Sequence, residues 1–206
     1  ARQIGATDLS FVGKNYLARA LTSQGELDSA QLVSEDVVGY GELAWRENPV
    51  QYYNALLELG AVYQRQSRFE DAERIFEETM LAMLEIGGEY HPTTLVAMNN
   101  LGNIYEQLGF YDDAEPVLEQ TLAGMEVAMG LSHPQTARTR NNLALLHESQ
   151  GNFREAEPLY DTSYEHISES LGENHPDAMG MQNNLAYLYM MMEEYEAAAA
   201  MFEDLV

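Results

Sequence analysis

The sequence predicts an all-α fold, a solenoid of five antiparallel helix pairs. Two observations carry this prediction. Whole motifs recur every 42 residues along the 206-residue chain, and such a period marks a stacked-repeat architecture. Within each period, apolar and small residues recur at the spacing of one helical face, twice over, with a break between.

The register is set by His-Pro, found as His91-Pro92, His133-Pro134 and His175-Pro176, each 42 residues from the next. Asn-Asn-Leu follows at the same step, in Asn99-Asn100-Leu101, Asn141-Asn142-Leu143 and Asn183-Asn184-Leu185. An aromatic column (Tyr111, Phe153, Tyr195) and an alanine column (Ala114, Ala156, Ala198) complete the frame. Looser copies lie upstream, in Leu59, Gly60, Tyr63, Phe69 and Ala72, and in Leu17, Ala18, Leu21, Gly25, Leu27 and Ala30. Five units without insertion or deletion result: 7–48, 49–90, 91–132, 133–174 and a shortened 175–206. They are read as a single domain over 1–206.

Each unit holds two helices. In the third, Pro92 opens the first helix, a position that suits proline. Residues 98, 101, 102 and 105 share one face, and Gly109 ends the helix. The second is predicted from about Asp112 to Met129, with Ala114, Val117, Leu118, Leu122 and Met125 on one face and Gly130 as its C-cap. Neither helix buries its apolar face alone, so each repeat must pack on the next.

Composition narrows the function. The net charge of −24 disfavours nucleic acid and anionic membranes as partners. No apolar run reaches the roughly 20 residues that span a bilayer, so no membrane insertion is expected. The chain has no cysteine, which removes disulfides, a thiolate nucleophile and cysteine-ligated metal. His91, His133 and His175 sit on successive repeats, on the order of 10 Å apart. Ligands of one zinc bind at about 2 Å, so the histidines read as turn residues and no metal or cofactor is expected. His147 replaces the tyrosine of positions 63, 105 and 189 and reads as a packed core residue, and His166 has no partner motif. Met190-Met191-Met192 reads as core and edge packing. No catalytic motif appears, so no catalytic residue is assigned.

The frame resembles a known repeat. Leu101-Gly102-x-x-Tyr105 followed by Ala114-x-x-x-Leu118 is similar to the tetratricopeptide pattern, and the same frame recurs from Leu59 and from Leu185. The 42-residue form with His-Pro, Asn-Asn-Leu-Ala and Ala156-Glu157-Pro158-Leu159-Tyr160 resembles the repeat of kinesin light chains and their bacterial relatives. The large residue usual four positions into the motif is Met98, Arg140 or Gln182 here. The resemblance implies a right-handed superhelix whose first helices line a concave groove.

With the Leu of Asn-Asn-Leu as position 7, positions 4, 7, 8 and 11 face the partner helix. Positions 2, 5, 6, 9, 12 and 13 fall opposite, and the resemblance puts them in the groove. That set supplies Asn54, Asn99, Asn100, Asn103, Arg138, Asn141, Asn142, Asn183 and Asn184, with Leu145, Tyr187, Val96 and Met190 between. Asparagine offers a donor and an acceptor, which suits the main chain of an extended peptide. In kinesin light chains such groove asparagines contact cargo peptides, which implies that role for Asn99, Asn100, Asn141, Asn142, Asn183 and Asn184. One asparagine of each pair reads equally well as a bond to the adjacent repeat. Arg138, Asn103, Leu145 and Tyr187 then become the candidates for ligand specificity, with Arg140 as a nearby cation.

The five first-helix segments carry five acidic and five basic residues, whereas the second-helix segments carry −25. The acid is therefore expected on the outer layer, for solubility or for a basic partner. The function expected is a scaffold that binds a protein or peptide partner in its groove. The alternative is the regulatory or oligomerising arm of a larger protein. Met201, Phe202 and Leu205 leave the last unit without a polar cap, so further repeats or a homodimer through that end are expected, and a cytoplasmic location with periplasmic or secreted alternatives open. Starting at Ala1, the chain reads as a fragment or a processed protein.

Overall fold

The computed structural model describes residues 2–44 and 48–203, and among these it holds ten α-helices and no strand. They are α1 (Arg2–Gln24), α2 (Leu27–Ala44), α3 (Pro49–Arg65), α4 (Phe69–Gly87), α5 (Pro92–Leu108), α6 (Tyr111–Met129), α7 (Pro134–Ser149), α8 (Phe153–Leu171), α9 (Pro176–Met191) and α10 (Tyr195–Glu203). The second helices start at Leu27, Phe69, Tyr111, Phe153 and Tyr195, in unbroken 42-residue register. The first helices follow it from Pro92 onward. Two starts differ from expectation. Helix α3 begins at Pro49, one residue ahead of the His-Pro register, because Asn48 caps it by accepting from the Gln51 amide. Helix α1 begins at Arg2, ahead of the predicted boundary at 7.

The chain forms two compact units, Ala1–Ile104 and Tyr105–Val206. In the first, helices α2 and α3 pack together, as do α3 and α4. Gly60 faces Phe76 so closely that a β-carbon there would lie 2.5 Å from the ring. In the second, Ala114 and Leu118 of α6 meet Leu143 and Leu146 of α7. Ala156 and Tyr160 of α8 meet Leu185 and Leu188 of α9 in the same way. Burying one leucine contributes about 2 kcal/mol, and each repeat places several. Leu59, Gly60, Leu101, Gly102, Leu143, Ala144, Leu185 and Ala186 are all buried, as the frame requires.

The turn inside each pair is the same five times. The amide of Glu26, Arg68, Phe110, Asn152 or Glu194 donates to the carbonyl five residues back, at 2.8–3.0 Å. That bond closes a Schellman motif, which needs a left-handed residue just before it. Gly25, Gly109 and Gly151 supply it with φ near +80°. Ser67 and Glu193 occupy the same place at φ 59° and 63°, where a side chain crowds the backbone. Ser67→Gly and Glu193→Gly should each raise unfolding stability by about 0.5–1 kcal/mol. Urea denaturation checks this, and Gly151→Ser should shift the midpoint the opposite way.

Candidate functional site

The predicted face can be built one unit at a time. A first-helix residue pointing away from its own second helix has two options: it meets the first helix of the next repeat, or it meets solvent. In Ala1–Ile104 the first option dominates. Arg19 Nε lies 2.8 Å from Glu58 Oε1. Burial holds the Glu58 carboxyl above its usual range, and Arg19 pulls it partly back. Arg65 donates to the Thr22 carbonyl at 3.0 Å. Thr93 donates its hydroxyl to Asn54 Oδ1 at 3.0 Å. Asn99 and Asn100 are half-buried neighbours on α5, with Asn99 Nδ2 at 3.5 Å from Asn100 Oδ1. Asn103, one turn on, is half-buried and makes no hydrogen bond to another described residue.

The same stitching runs through Tyr105–Val206. Arg138 of α7 pairs with Asp177 of α9, the register of Asn54 with Thr93. Ser149 donates to Glu106 at 2.7 Å, the register of Arg65 with Thr22. Asn184 Nδ2 donates to Asn141 Oδ1 at 3.1 Å. The asparagine column is therefore partly structural: Asn54, Asn141 and Asn184 spend an amide on repeat-to-repeat bonds. Asn142 is half-buried. Leu145 is half-buried against the cluster of Tyr160, Leu185 and Leu188.

Helix α9 is the exception. Asn183 is exposed and makes no hydrogen bond to another described residue. Tyr187 is 50% and Met190 43% exposed. Spaced four and three apart, these three lie along one stripe. Met191 is exposed too, so of the three methionines only Met192 packs on the core. Phe202 is half-buried, and Leu205 lies outside the described residues.

One expectation changes. Arg140 does not join this face. It is buried, with its guanidinium 2.8 Å from Glu126 Oε1 and 3.1 Å from His166 Nδ1. A cation at the core-facing position four is held only because α6 and α8 each bring a partner to it. Gln182 at the same position donates to the Met201 carbonyl at 3.3 Å. His147 is half-buried, and its Nδ1 is enclosed without a hydrogen bond.

The repeated histidines prove to be helix caps. Nδ1 of His91, His133 and His175 accepts the backbone amide two residues on, at 3.1–3.2 Å. Each satisfies one of the orphan amides of a helix start. Among the described residues no group of three His, Cys, Asp or Glu is placed to hold a metal. His133→Ala should cost about 1 kcal/mol and His133→Asn much less, since asparagine caps as well; thermal melts of the two variants check this.

The sequence frame did not point to one more polar pair. Tyr160, fully buried, donates its hydroxyl to Glu148 Oε2 at 2.8 Å. Burial pushes the phenol far up, and the carboxylates of Glu148 and Glu106 add to it. Burial also raises Glu148, and the Tyr160 hydrogen bond partly offsets this. Tyr63 and Tyr189 are raised by burial as well, with carboxylates beside both. A folded-state pKa above the unfolded value leaves stability intact below about 10 and removes it as pH rises beyond. The protein should therefore lose stability in alkali, and Tyr160→Phe should flatten that loss, read by urea midpoints between neutral pH and pH near 11.

Comparisons with known proteins agree with the fold. The sequence profile described as tetratricopeptide repeat matches residues 51–126, 100–166 and 135–206. No curated protein sequence matches. Among solved structures, a kinesin light chain described as putative, from Podosopora anserina and built of nearly identical repeats, aligns with TM-score 0.69 and 22% identity over 95% of this chain and 93% of its own. BtubC (BKLC) from P. vanneervenii aligns with TM-score 0.73 and 19% identity over 99% of this chain and 88% of its own. A Rap protein complexed with Competence and Sporulation Factor aligns with TM-score 0.83 and 14% identity, over 95% of this chain and 52% of its own. At these identities the likeness is one of fold.

Proposed function

The chain belongs to the tetratricopeptide repeat family, a fold of protein–protein interaction scaffolds, and we propose that it holds a peptide or partner segment on its first-helix face. The observation that carries this reading is the open stripe on α9. Asn183 offers an amide, Tyr187 a ring and a hydroxyl, and Met190 an adaptable apolar side chain. An extended segment needs those three functions: a partner for its main chain, a flat apolar surface, and a pocket that adjusts. The half-buried Asn142 and Leu145 extend the candidate surface on α7. Arg138, tied to Asp177, acts as a positioning residue for α9.

Near-neutral first helices support this role. With five acidic and five basic residues they present no strong field to a neutral ligand. That a Rap protein of similar fold is complexed with Competence and Sporulation Factor supports ligand binding by such helix pairs.

The test is capture of ligands from a random peptide display library, followed by variants. Asn183→Ala and Tyr187→Ala should each weaken the captured peptides about tenfold while leaving the melting temperature unchanged. Asn184→Ala should instead lower stability by about 1 kcal/mol, since it breaks the bond to Asn141. Unchanged affinity in both exposed-residue variants rules out the α9 stripe.

A further inference from the structure

We propose that the side of α4 facing away from the core is a docking ridge for a basic amphipathic helix of a partner protein. At 100° per residue, Leu81 lies opposite Ala72, Phe76 and Met83 on this helix. Those three are fully buried, whereas Leu81 is 56% exposed. Leu84, one turn on, is 47% exposed. Residues three and four apart are neighbours on a helix surface, so Leu81 is surrounded by Glu77, Glu78, Leu84 and Glu85, all exposed. Two leucines framed by three carboxylates form the ridge.

Helix α4 has helix pairs before and after it in the chain, so its exposure is not that of a chain end. In the other three repeats that reach this position, Leu81 is replaced by Gly39, Ala123 and Glu165, and Leu84 by Glu42, Glu126 and Ser168. Ile86 and Tyr90 lie at the same end of α4 and are 46% and 53% exposed. They stand where the other repeats have Ala44, Ala128 and Ser170, and Asn48, Ser132 and Asn174. The other repeats thus put small or polar residues at all four places. An outer layer built for solubility explains the carboxylates but not the leucines, because grouped exposed apolar side chains mark interaction sites or cost solubility.

Charge selects the partner. The cations on this helix pair are already taken: Arg68 and Arg74 both pair with Asp71. Glu77, Glu78 and Glu85 have no hydrogen bond or ion pair with another described residue. Burial holds the Tyr53 phenol of α3 above its usual range, and the charges of Glu78 and Glu85 add to this. The carboxylates therefore set an uncompensated negative field beside the leucines. A helix with an apolar side edged by lysine or arginine matches both features, its apolar residues on the leucines and its cations on the carboxylates. A second copy carries −24 itself and is repelled, as are nucleic acid and anionic lipid. The ridge shares no residue with the first-helix face, so either site can fail without the other.

Fluorescence anisotropy of a labelled leucine–lysine amphipathic helical peptide, titrated with the whole chain, tests this. Binding should be saturable and should weaken with rising salt as the carboxylates are screened. Leu81→Ser combined with Leu84→Ser should weaken it about tenfold, the size expected for two partly buried leucines. Circular dichroism of that variant should show native helicity and an unchanged melting temperature, since both side chains are exposed. Glu77→Gln, Glu78→Gln and Glu85→Gln together should weaken binding and flatten its salt dependence. The control combines Glu119→Gln, Asp161→Asn and Glu165→Gln, exposed carboxylates of other second helices, and should leave affinity within about twofold. Absence of saturable binding, unchanged affinity in the leucine variant, or an equal loss in the control overturns the proposal. So does a peptide-free chain that self-associates, or that floats with phosphatidylcholine vesicles, through the same two leucines, because a second copy or a membrane is then the occupant.

Discussion

The stacking of repeats in this protein depends on one contact: a leucine of a first helix seated on the alanine and large residue of the second helix before it. Leu143 on Ala114 and Leu118, and Leu185 on Ala156 and Tyr160, are two instances of it. A helix pair has no other way to hide its apolar side, so no repeat is stable as an isolated object. The contact also explains the small residue that follows the leucine. Gly60 lies against Phe76 with no room for a β-carbon, which sets how closely two helices approach. The Schellman turns and the histidine caps serve this contact by fixing where each helix stops and starts.

The candidate binding face is what this stacking leaves over. First helices that neighbour one another use their polar side chains on each other, as Arg19 does with Glu58 and Asn184 with Asn141. The amides thus spent hold the register and are not available to a ligand. On α9 a stripe of mixed chemistry stays open, in Asn183, Tyr187 and Met190. Repeat packing and the exposed polar surface draw on the same positions, and on α9 those positions lie at the surface.

Polar residues that depart from the frame are tolerated where the fold brings partners from several helices. Arg140 is charged and buried, but Glu126 and His166 converge on it from two other helices. Tyr160 is large and carries a hydroxyl, and Glu148 Oε2 accepts the hydrogen bond that this hydroxyl donates. Each would be costly alone. In repeats that otherwise look interchangeable, such exceptions give individual repeats distinct interiors.

The sequence alone determined the fold class, the five helix pairs and the buried frame, because 42-residue periodicity and helical spacing are local properties written along the chain. It also identified the histidines as turn residues, since a side chain beside a proline caps its own helix. It singled out the asparagines but left open whether each one binds a ligand or the neighbouring repeat. That choice depends on which side chain stands across from each, about 40 residues away, and only packing brings the two together. The burial of Arg140 was illegible for the same reason: its partners lie 14 and 26 residues away on separate helices.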